Sequence, residues 1–139
     1  MNQPTGVPII LLVEDSPDDV FFFHRAVTKS KVAATTHVAI DGVEAINYLQ
    51  NQGRFADRAA FPQPDIIFLD LKLPHLNGFE VLEWIGRQPQ RPAAPVIILT
   101  SSSEPEDRER AETLGAALFL TKPPLPEQLS EILGKINKC

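Results

Sequence analysis

Cysteine is nearly absent from this chain of 139 residues, and the single one stands at the last position, Cys139. That excludes an internal disulfide and any zinc site built on cysteine thiolates. No apolar stretch approaches the roughly 20 residues that a membrane span needs. The opening Met1-Asn2-Gln3-Pro4-Thr5-Gly6 also lacks a basic segment followed by an apolar core. The chain is therefore expected in the cytoplasm, without membrane contact. Excess positive charge is missing too. Lys and Arg number 13 against 18 Asp and Glu, and the net charge of -5 argues against nonspecific nucleic-acid binding. The three histidines, His24, His37 and His75, lack metal-ligand spacing and default to surface roles. There is no internal repeat or low-complexity segment. What remains is 43% hydrophobic and 22% charged, a composition suited to one well-cored globular domain.

The acidic residues are distributed with purpose. Glu14 and Asp15 directly follow the apolar run Ile9-Ile10-Leu11-Leu12-Val13, and Asp70 directly follows Ile66-Ile67-Phe68-Leu69. Apolar runs of this kind suit strands covered on both faces, as in a parallel sheet, and such sheets bind ligands beyond their carboxyl ends. The three acids are predicted to meet there. Crowded in a poorly solvated crevice they need either raised pKa values or a hard divalent cation with oxygen ligands, and the pattern reads as a magnesium site.

The rest of the chain alternates strand and helix. A first strand over about 8–13 leads to Ser16 as N-cap, Pro17 at the first helical position and Asp18 and Asp19 at the positive end of the dipole of a helix running to about Lys29. Phe21, Phe22 and Phe23 read as core and flank of that helix. Thr35 to Ile40 reads as a strand. Asp41-Gly42-Val43-Glu44 then opens a helix whose Val43, Ile46, Tyr48 and Leu49 supply apolar surface, ending near Gly53. Residues 54–64 form a loop or irregular insertion whose role is open. After Asp70, the turn formers Leu73-Pro74-His75-Leu76-Asn77-Gly78 lead to a helix with Phe79, Val81, Leu82, Trp84 and Ile85. Pro89, Pro92 and Pro95 mark a loop, and Val96 to Leu99 a strand ending at Thr100. Ser103-Glu104-Pro105-Glu106 offers a capping box for a charged helix stopping at Gly115. Ala117 to Thr121 is the last strand, and an amphipathic helix runs from about Pro126 to Asn137. Five strands alternating with five helices predict an α/β, doubly wound parallel sheet with right-handed crossovers.

Three further residues converge on the same sheet edge. Thr100 offers a hydroxyl, Lys122 a point charge, and Pro123 a candidate cis peptide bond that aims the lysine. Acids, hydroxyl and lysine together make a phosphoryl site, because a carboxylate can accept a phosphoryl group whose oxygens are neutralised by a cation and by donors. Glu14-Asp15, Asp70, Thr100 and Lys122-Pro123, in that order at strand ends, resemble the response-regulator receiver domain of two-component signalling over about residues 8–137. The resemblance implies the flavodoxin-like strand order 2-1-3-4-5, residues 1–7 as a tail and 8–139 as a single domain. It implies Asp70 as phosphoacceptor, attacking the phosphohistidine of a sensor histidine kinase or phosphotransfer protein. Magnesium would be held by Asp15, Asp70 and the backbone carbonyl of Lys72, with Glu14 acting directly or through a water. Thr100 and Lys122 would hold phosphoryl oxygens, and Phe119 falls where the family carries an aromatic residue that swings with the threonine.

Two positions depart from the family pattern. Lys72 sets a long cation beside the pocket and bears on phosphoryl lifetime, and Asn77 stands where an acid is frequent but is expected to preserve the turn. Acids at strand ends can merely cap helices, yet capping explains neither Thr100 nor Lys122-Pro123. The expected protein is a stand-alone switch whose output is contact with a downstream protein target or a homodimer through residues 101–138. The alternatives are a receiver-like adaptor that works without phosphorylation, and a phosphatase with an aspartyl-phosphate intermediate. Such phosphatases usually carry a second acid two residues after the nucleophile, where this chain has Lys72. The segment from Gln52 to Pro64, with Glu14-Asp15-Ser16-Pro17-Asp18-Asp19, is similar to small regulators of phytochrome-type kinases.

Overall fold

The computed structural model describes residues 7–89, 94–102 and 104–136. In chain order the elements are β1 (Ile9–Val13), α1 (Pro17–Ser30), β2 (Thr35–Ala39), α2 (Gly42–Gln50), a 3-10 turn (Gly53–Phe55), β3 (Ile66–Leu69), α3 (Gly78–Gly86), β4 (Val96–Thr100), α4 (Pro105–Thr113), β5 (Leu118–Thr121) and α5 (Pro126–Ile136). The strands form one parallel sheet in the order β2-β1-β3-β4-β5, as the resemblance implied. The apolar strands β1, β3 and β4 lie inside and are buried throughout, whereas the more polar β2 and the partly exposed β5 take the edges. No helix among the described residues is long and apolar enough to cross a membrane.

Strand alternation divides the core in two. Ile10, Leu12, Ile66, Phe68, Ile97 and Leu99 pack with Phe23 of α1 and Leu129 and Leu133 of α5 on one face. Leu11, Val13, Ile67, Leu69, Val96 and Ile98 face the opposite way, toward α2, α3 and α4. This parity decides on which side of the sheet each residue at a strand end emerges.

Local signals account for most helix ends. The Asp19 amide donates to Ser16 Oγ (3.3 Å), and the Glu44 amide donates to Asp41 Oδ1 (2.7 Å). Asn77 caps α3 with a reciprocal capping box to Glu80, so it preserves the turn as an N-cap, while the left-handed residue of that turn is His75 (φ 68°). Four expectations need correction. Helix α2 ends at Gln50 with left-handed Asn51 after it, before Gly53, and Val43 is exposed while Ala45 and Tyr48 carry the buried surface. The N-cap of α4 is Glu104, which makes no capping bond with its side chain. Ser102 braces the turn before it, its Oγ accepting from the Glu104 amide (3.3 Å) and donating to Asp107 Oδ2 (2.7 Å). Phe23 is core, but Phe21 and Phe22 are exposed and pack edge to face on each other. His37 is half-buried between Tyr48 and Phe61, and burial lowers its pKa. Ser103, Asn137, Cys139, Pro92 and residues 1–6 lie outside the described residues.

The insertion before β3 is built rather than loose. Phe55 is buried against Tyr48 and Phe61, with ring centroids 5.0 and 5.1 Å away. The Tyr48 hydroxyl donates to the Pro62 carbonyl (2.7 Å), and burial pushes its pKa up to about 12. Arg54 stacks on Phe55, pairs with Glu44 (3.0 Å) and donates to the Val38 carbonyl (3.0 Å) of edge strand β2. The segment thus covers an edge that would otherwise present an unpaired carbonyl.

One close approach ties the fold to the end of β3. A Cβ at Gly78 would collide with the Asp70 carbonyl oxygen and lie 2.8 Å from Leu71 Cα, both fixed backbone. Gly134 in α5 has nothing within 4 Å of its missing Cβ. Gly78→Ala should therefore destabilise by about 1–3 kcal/mol through overpacking. Gly134→Ala should stabilise by about 0.5–1 kcal/mol through helix propensity. Urea denaturation of both variants would expose the error if they moved in the same direction.

Candidate functional site

Backbone bonds fix the residues that leave the sheet. The Glu14 amide donates to the Ala39 carbonyl (2.9 Å), the Asp70 amide to Val13 (3.2 Å) and the Lys122 amide to Thr100 (2.9 Å). Each of the three therefore prolongs a parallel ladder by one residue. Parity then sends Glu14, Asp70 and Lys122 to the side of α1 and α5, in line with Leu12, Phe68 and Leu120.

There the Lys122 ammonium sits among three carboxylates. Its Nζ lies 2.6 Å from Glu14 Oε1, 2.7 Å from Asp19 Oδ2 and 2.9 Å from Asp70 Oδ2. An ammonium has three donors, so all are engaged. The side chains of Glu14, Asp70 and Lys122 are 2%, 7% and 12% exposed, and that of Asp19 is 36% exposed. Burial alone would lower the lysine pKa, but the acceptors Asp19, Glu14 and Asp70 outweigh it and raise it. For Glu14 burial dominates and, joined by the charge of Asp70, raises its pKa despite the lysine. The remaining oxygens are tied down locally: Glu14 Oε2 accepts from the Ser16 amide (3.2 Å) and Asp70 Oδ1 from the Lys72 amide (3.2 Å).

Asp15 is exposed at the rim, and one oxygen each from Glu14, Asp15 and Asp70 lie within 4.8 Å of one another. Convergent carboxylate oxygens without a soft donor are the ligand set of a hard divalent cation. The surplus of acids over the one lysine gives such a cation a charge to neutralise. The set fits a divalent metal.

Thr100 and Phe119 belong to the other side. Thr100 is fully buried, and its Oγ1 accepts from the Ser102 amide at 3.4 Å. Phe119 pairs with Ile98 across β4 and β5 and packs on the core facing α3 and α4. The Lys122–Pro123 bond is cis. The sequence-predicted residues thus gather at one end of the sheet, Glu14, Asp15, Asp70 and Lys122 together and Thr100 with Phe119 across it. Lys72 is exposed beside them, touching the site through its backbone.

Sequence reading missed Asp19, which it assigned to the dipole of α1. The signal was available in helical spacing: Asp19 stands four residues before buried Phe23, on the same stripe as Ala26 and Val27. An acid on the inward face of a first turn needs a partner, and Lys122 is that partner. His75 Nδ1, at the rim, lies 2.9 Å from Asp41 Oδ2. Burial opposes ionisation of Asp41, but the Glu44 amide and His75 together hold its pKa below the ordinary value.

Comparison with known proteins agrees with this fold. A family model described as the response regulator receiver domain matches residues 10–134. The chain is similar to response regulator Rcp1 of Synechocystis sp., 35% identical over 123 residues that make up 88% of this chain and 82% of that protein. The solved bacteriophytochrome response regulator AtBRR is similar at TM-score 0.79 and 36% identity, covering 94% of this chain and 92% of that one. The phosphorylated cyanobacterial phytochrome response regulator RcpA gives TM-score 0.76 at 33% identity, with 94% and 91% covered. The Mn(2+)-bound form of Rcp1 gives 0.74 at 32% identity, with 93% and 91% covered.

The shared lysine makes stability depend on pH in a set direction. Lys122→Met leaves Glu14 and Asp70 buried without a cation and should destabilise by about 3 kcal/mol near neutral pH. A carboxyl whose folded pKa lies above its ordinary 4.5, as for Glu14, disfavours folding above that folded value and is relieved as pH falls through it. The deficit of the variant should therefore shrink as pH is lowered toward 4.5. Metal-free urea denaturation at neutral and acidic pH checks this, and an equal deficit at both would refute it.

Proposed function

The chain belongs to the response-regulator receiver family of two-component signalling, and on that premise we propose that Asp70 is its phosphoacceptor. The observation that carries this reading is the Asp70 carboxylate itself, held by Lys122 at 2.9 Å with the oxygens of Glu14 and Asp15 within 4.8 Å. The donor is the phosphohistidine of a sensor histidine kinase or phosphotransfer protein. One oxygen of Asp70 attacks phosphorus, the new P–O bond replaces the P–N bond, and the imidazole leaves with the bonding pair. Lys122 passes its donor from Asp70 to a phosphoryl oxygen, and the Thr100 hydroxyl donates to another.

Magnesium is the proposed cofactor, held by Asp15, Asp70 and the Lys72 backbone carbonyl, with Glu14 bound directly or through a water. When bound it supplies neutralisation of the phosphoryl oxygens. The Mn(2+)-bound form of the relative Rcp1 supports a divalent cation here. The phosphorylated form of RcpA supports the modification. Because AtBRR and RcpA are regulators of phytochrome systems, a phytochrome-type kinase is the favoured partner. Receiver domains are signalling proteins, and the chemistry proposed for this one, phosphotransfer and dephosphorylation, acts on itself. The phosphatase reading lacks its second acid, since position 72 carries an exposed lysine. The proposed setting is the cytoplasm.

Output is proposed to leave through α4, β5 and α5, to a downstream protein or a second copy. Helix α4 buries Ala111 alone, and Leu118 of edge strand β5 is exposed.

Acetyl phosphate with magnesium should add one phosphoryl group per chain. Asp70→Asn should abolish the adduct while keeping the fold, and Asp15→Asn should slow its formation at least about tenfold by removing a ligand the small ion demands. Intact-mass measurement reads both. Undiminished labelling of Asp70→Asn would end the assignment.

Phosphorylation should also shift the Thr100 and Phe119 side of the sheet. Amide hydrogen exchange is expected to change most in α4 and β5. A change confined to residues 14–19 and 70–78 would refute that coupling.

A further inference from the structure

Three carboxylates share the Lys122 ammonium, but only two of them belong to the candidate metal set. Glu14 and Asp70 are common to both, Asp15 serves the metal set alone, and Asp19 serves the lysine alone. The first turn of α1 is aimed for this. Its register is set by the Ser16 cap at one end and by Phe23 at the other, whose ring packs on Phe68 of β3 at 5.0 Å. Between them the Asp19 side chain reaches a lysine 103 residues away in the sequence, at 2.7 Å. An acid serving only the helix dipole would have no need of that contact. Asp19, Glu14 and Lys122 also line one cleft, together with Leu12, Phe22 and Leu99.

We propose that Asp19 is a positioning residue of the phosphorylation site, the acceptor that keeps the Lys122 ammonium in place once Glu14 and Asp70 are engaged by a divalent cation. The inference rests on the reading of Glu14, Asp15 and Asp70 as the metal-dependent phosphoacceptor site. With the cation held there, two of the three acceptors of the lysine are taken, and a second positive charge stands beside the ammonium. Asp19 is the one carboxylate left to oppose that repulsion. Held by Asp19, Lys122 keeps a donor facing the position where a phosphoryl oxygen arrives. Without Asp19 the long lysine chain swings to solvent. A compact charge on a flexible four-carbon stem needs such an anchor.

The test follows the Lys122 ammonium itself by NMR of protein labelled in its lysine side chains, with the resonance assigned by its loss in Lys122→Met. Calorimetry on the same samples establishes saturation by magnesium chloride. In the wild type the exchange-protected Nζ signal should persist at saturating magnesium. In Asp19→Asn it should be present without magnesium, held by Glu14 and Asp70, and vanish on saturation. Asp19→Glu, which keeps the charge, should restore it. Persistence of the signal in Asp19→Asn at saturation, or failure of Asp19→Glu to restore it, overturns the proposal. A wild type that binds no magnesium would instead overturn the underlying site reading and this inference with it.

Discussion

Among the described residues the ammonium of Lys122 is the one cation in contact with Glu14, Asp19 and Asp70, and it joins parts of the chain that are far apart in sequence. Through it the end of β5 is tied to the ends of β1 and β3 and to the first turn of α1. The contact is possible because three ladders run one residue beyond their strands and because parity turns all three side chains to the same side. A shift of one residue in any of these strands would send its charged group to the opposite core. The parallel register is therefore a condition of the site as well as of the hydrophobic packing.

The same parity separates the charged cluster from the face proposed for output. Charged groups gather on the side of α1 and α5, whereas Thr100 and Phe119 emerge toward α3 and α4. Helix α4 is the least embedded element there: its sequence Pro105–Thr113 is dominated by charge, and Ala111 is its one buried residue. It is steadied by the Arg110 guanidinium stacked 4.1 Å from the Phe79 ring centroid. Phe79 follows Gly78, whose backbone lies against Asp70 and Leu71. On the proposed reading a change at Asp70 has a packed route to α4 through Gly78 and Phe79 at the start of α3. A weakly buried helix is the element that such a change can move at small free-energy cost.

Much of this was legible in the sequence because its strongest signals are local. Buried strands write themselves as apolar runs, Ser16-Pro17 and Asp41 announce helix starts, and a carboxylate directly after a buried run stands out. The misreadings share a different origin, namely tertiary context. Val43 has the right composition for core but the wrong rotational position, while Ala45, small and unremarkable, is buried. Ser102 braces the start of α4 because its hydroxyl reaches Asp107, a contact that depends on how the chain turns after β4. The polar look of residues 54–64 hid Phe55 and Phe61, whose partners Tyr48 and His37 come from α2 and β2. Asp19 shows the limit most clearly: its inward position was written in helical spacing, but its partner lies 103 positions away and only the sheet order brings them together.

Charge balance places a constraint on how the site can signal. Four carboxylates and one ammonium leave a surplus of negative charge in a crevice where Glu14 already resists ionisation. A bound divalent cation removes most of that surplus, and turning the Asp70 carboxylate into an acyl phosphate of charge about -2 changes the local total by only about one unit. Bulk electrostatics therefore gives the phosphorylated state little that metal binding has not already changed. What differs is where donors point, since the phosphoryl oxygens stand farther out than the carboxylate they replace. In the proposed phosphorylated state Lys122 on one side and the Thr100 hydroxyl on the other would follow them, and of the two only Thr100 lies on the side of Phe119 and α4. On the proposed reading the signal is carried by the reorientation of a buried hydroxyl, with the lysine and its carboxylates serving to hold the phosphoryl group where that hydroxyl can reach it.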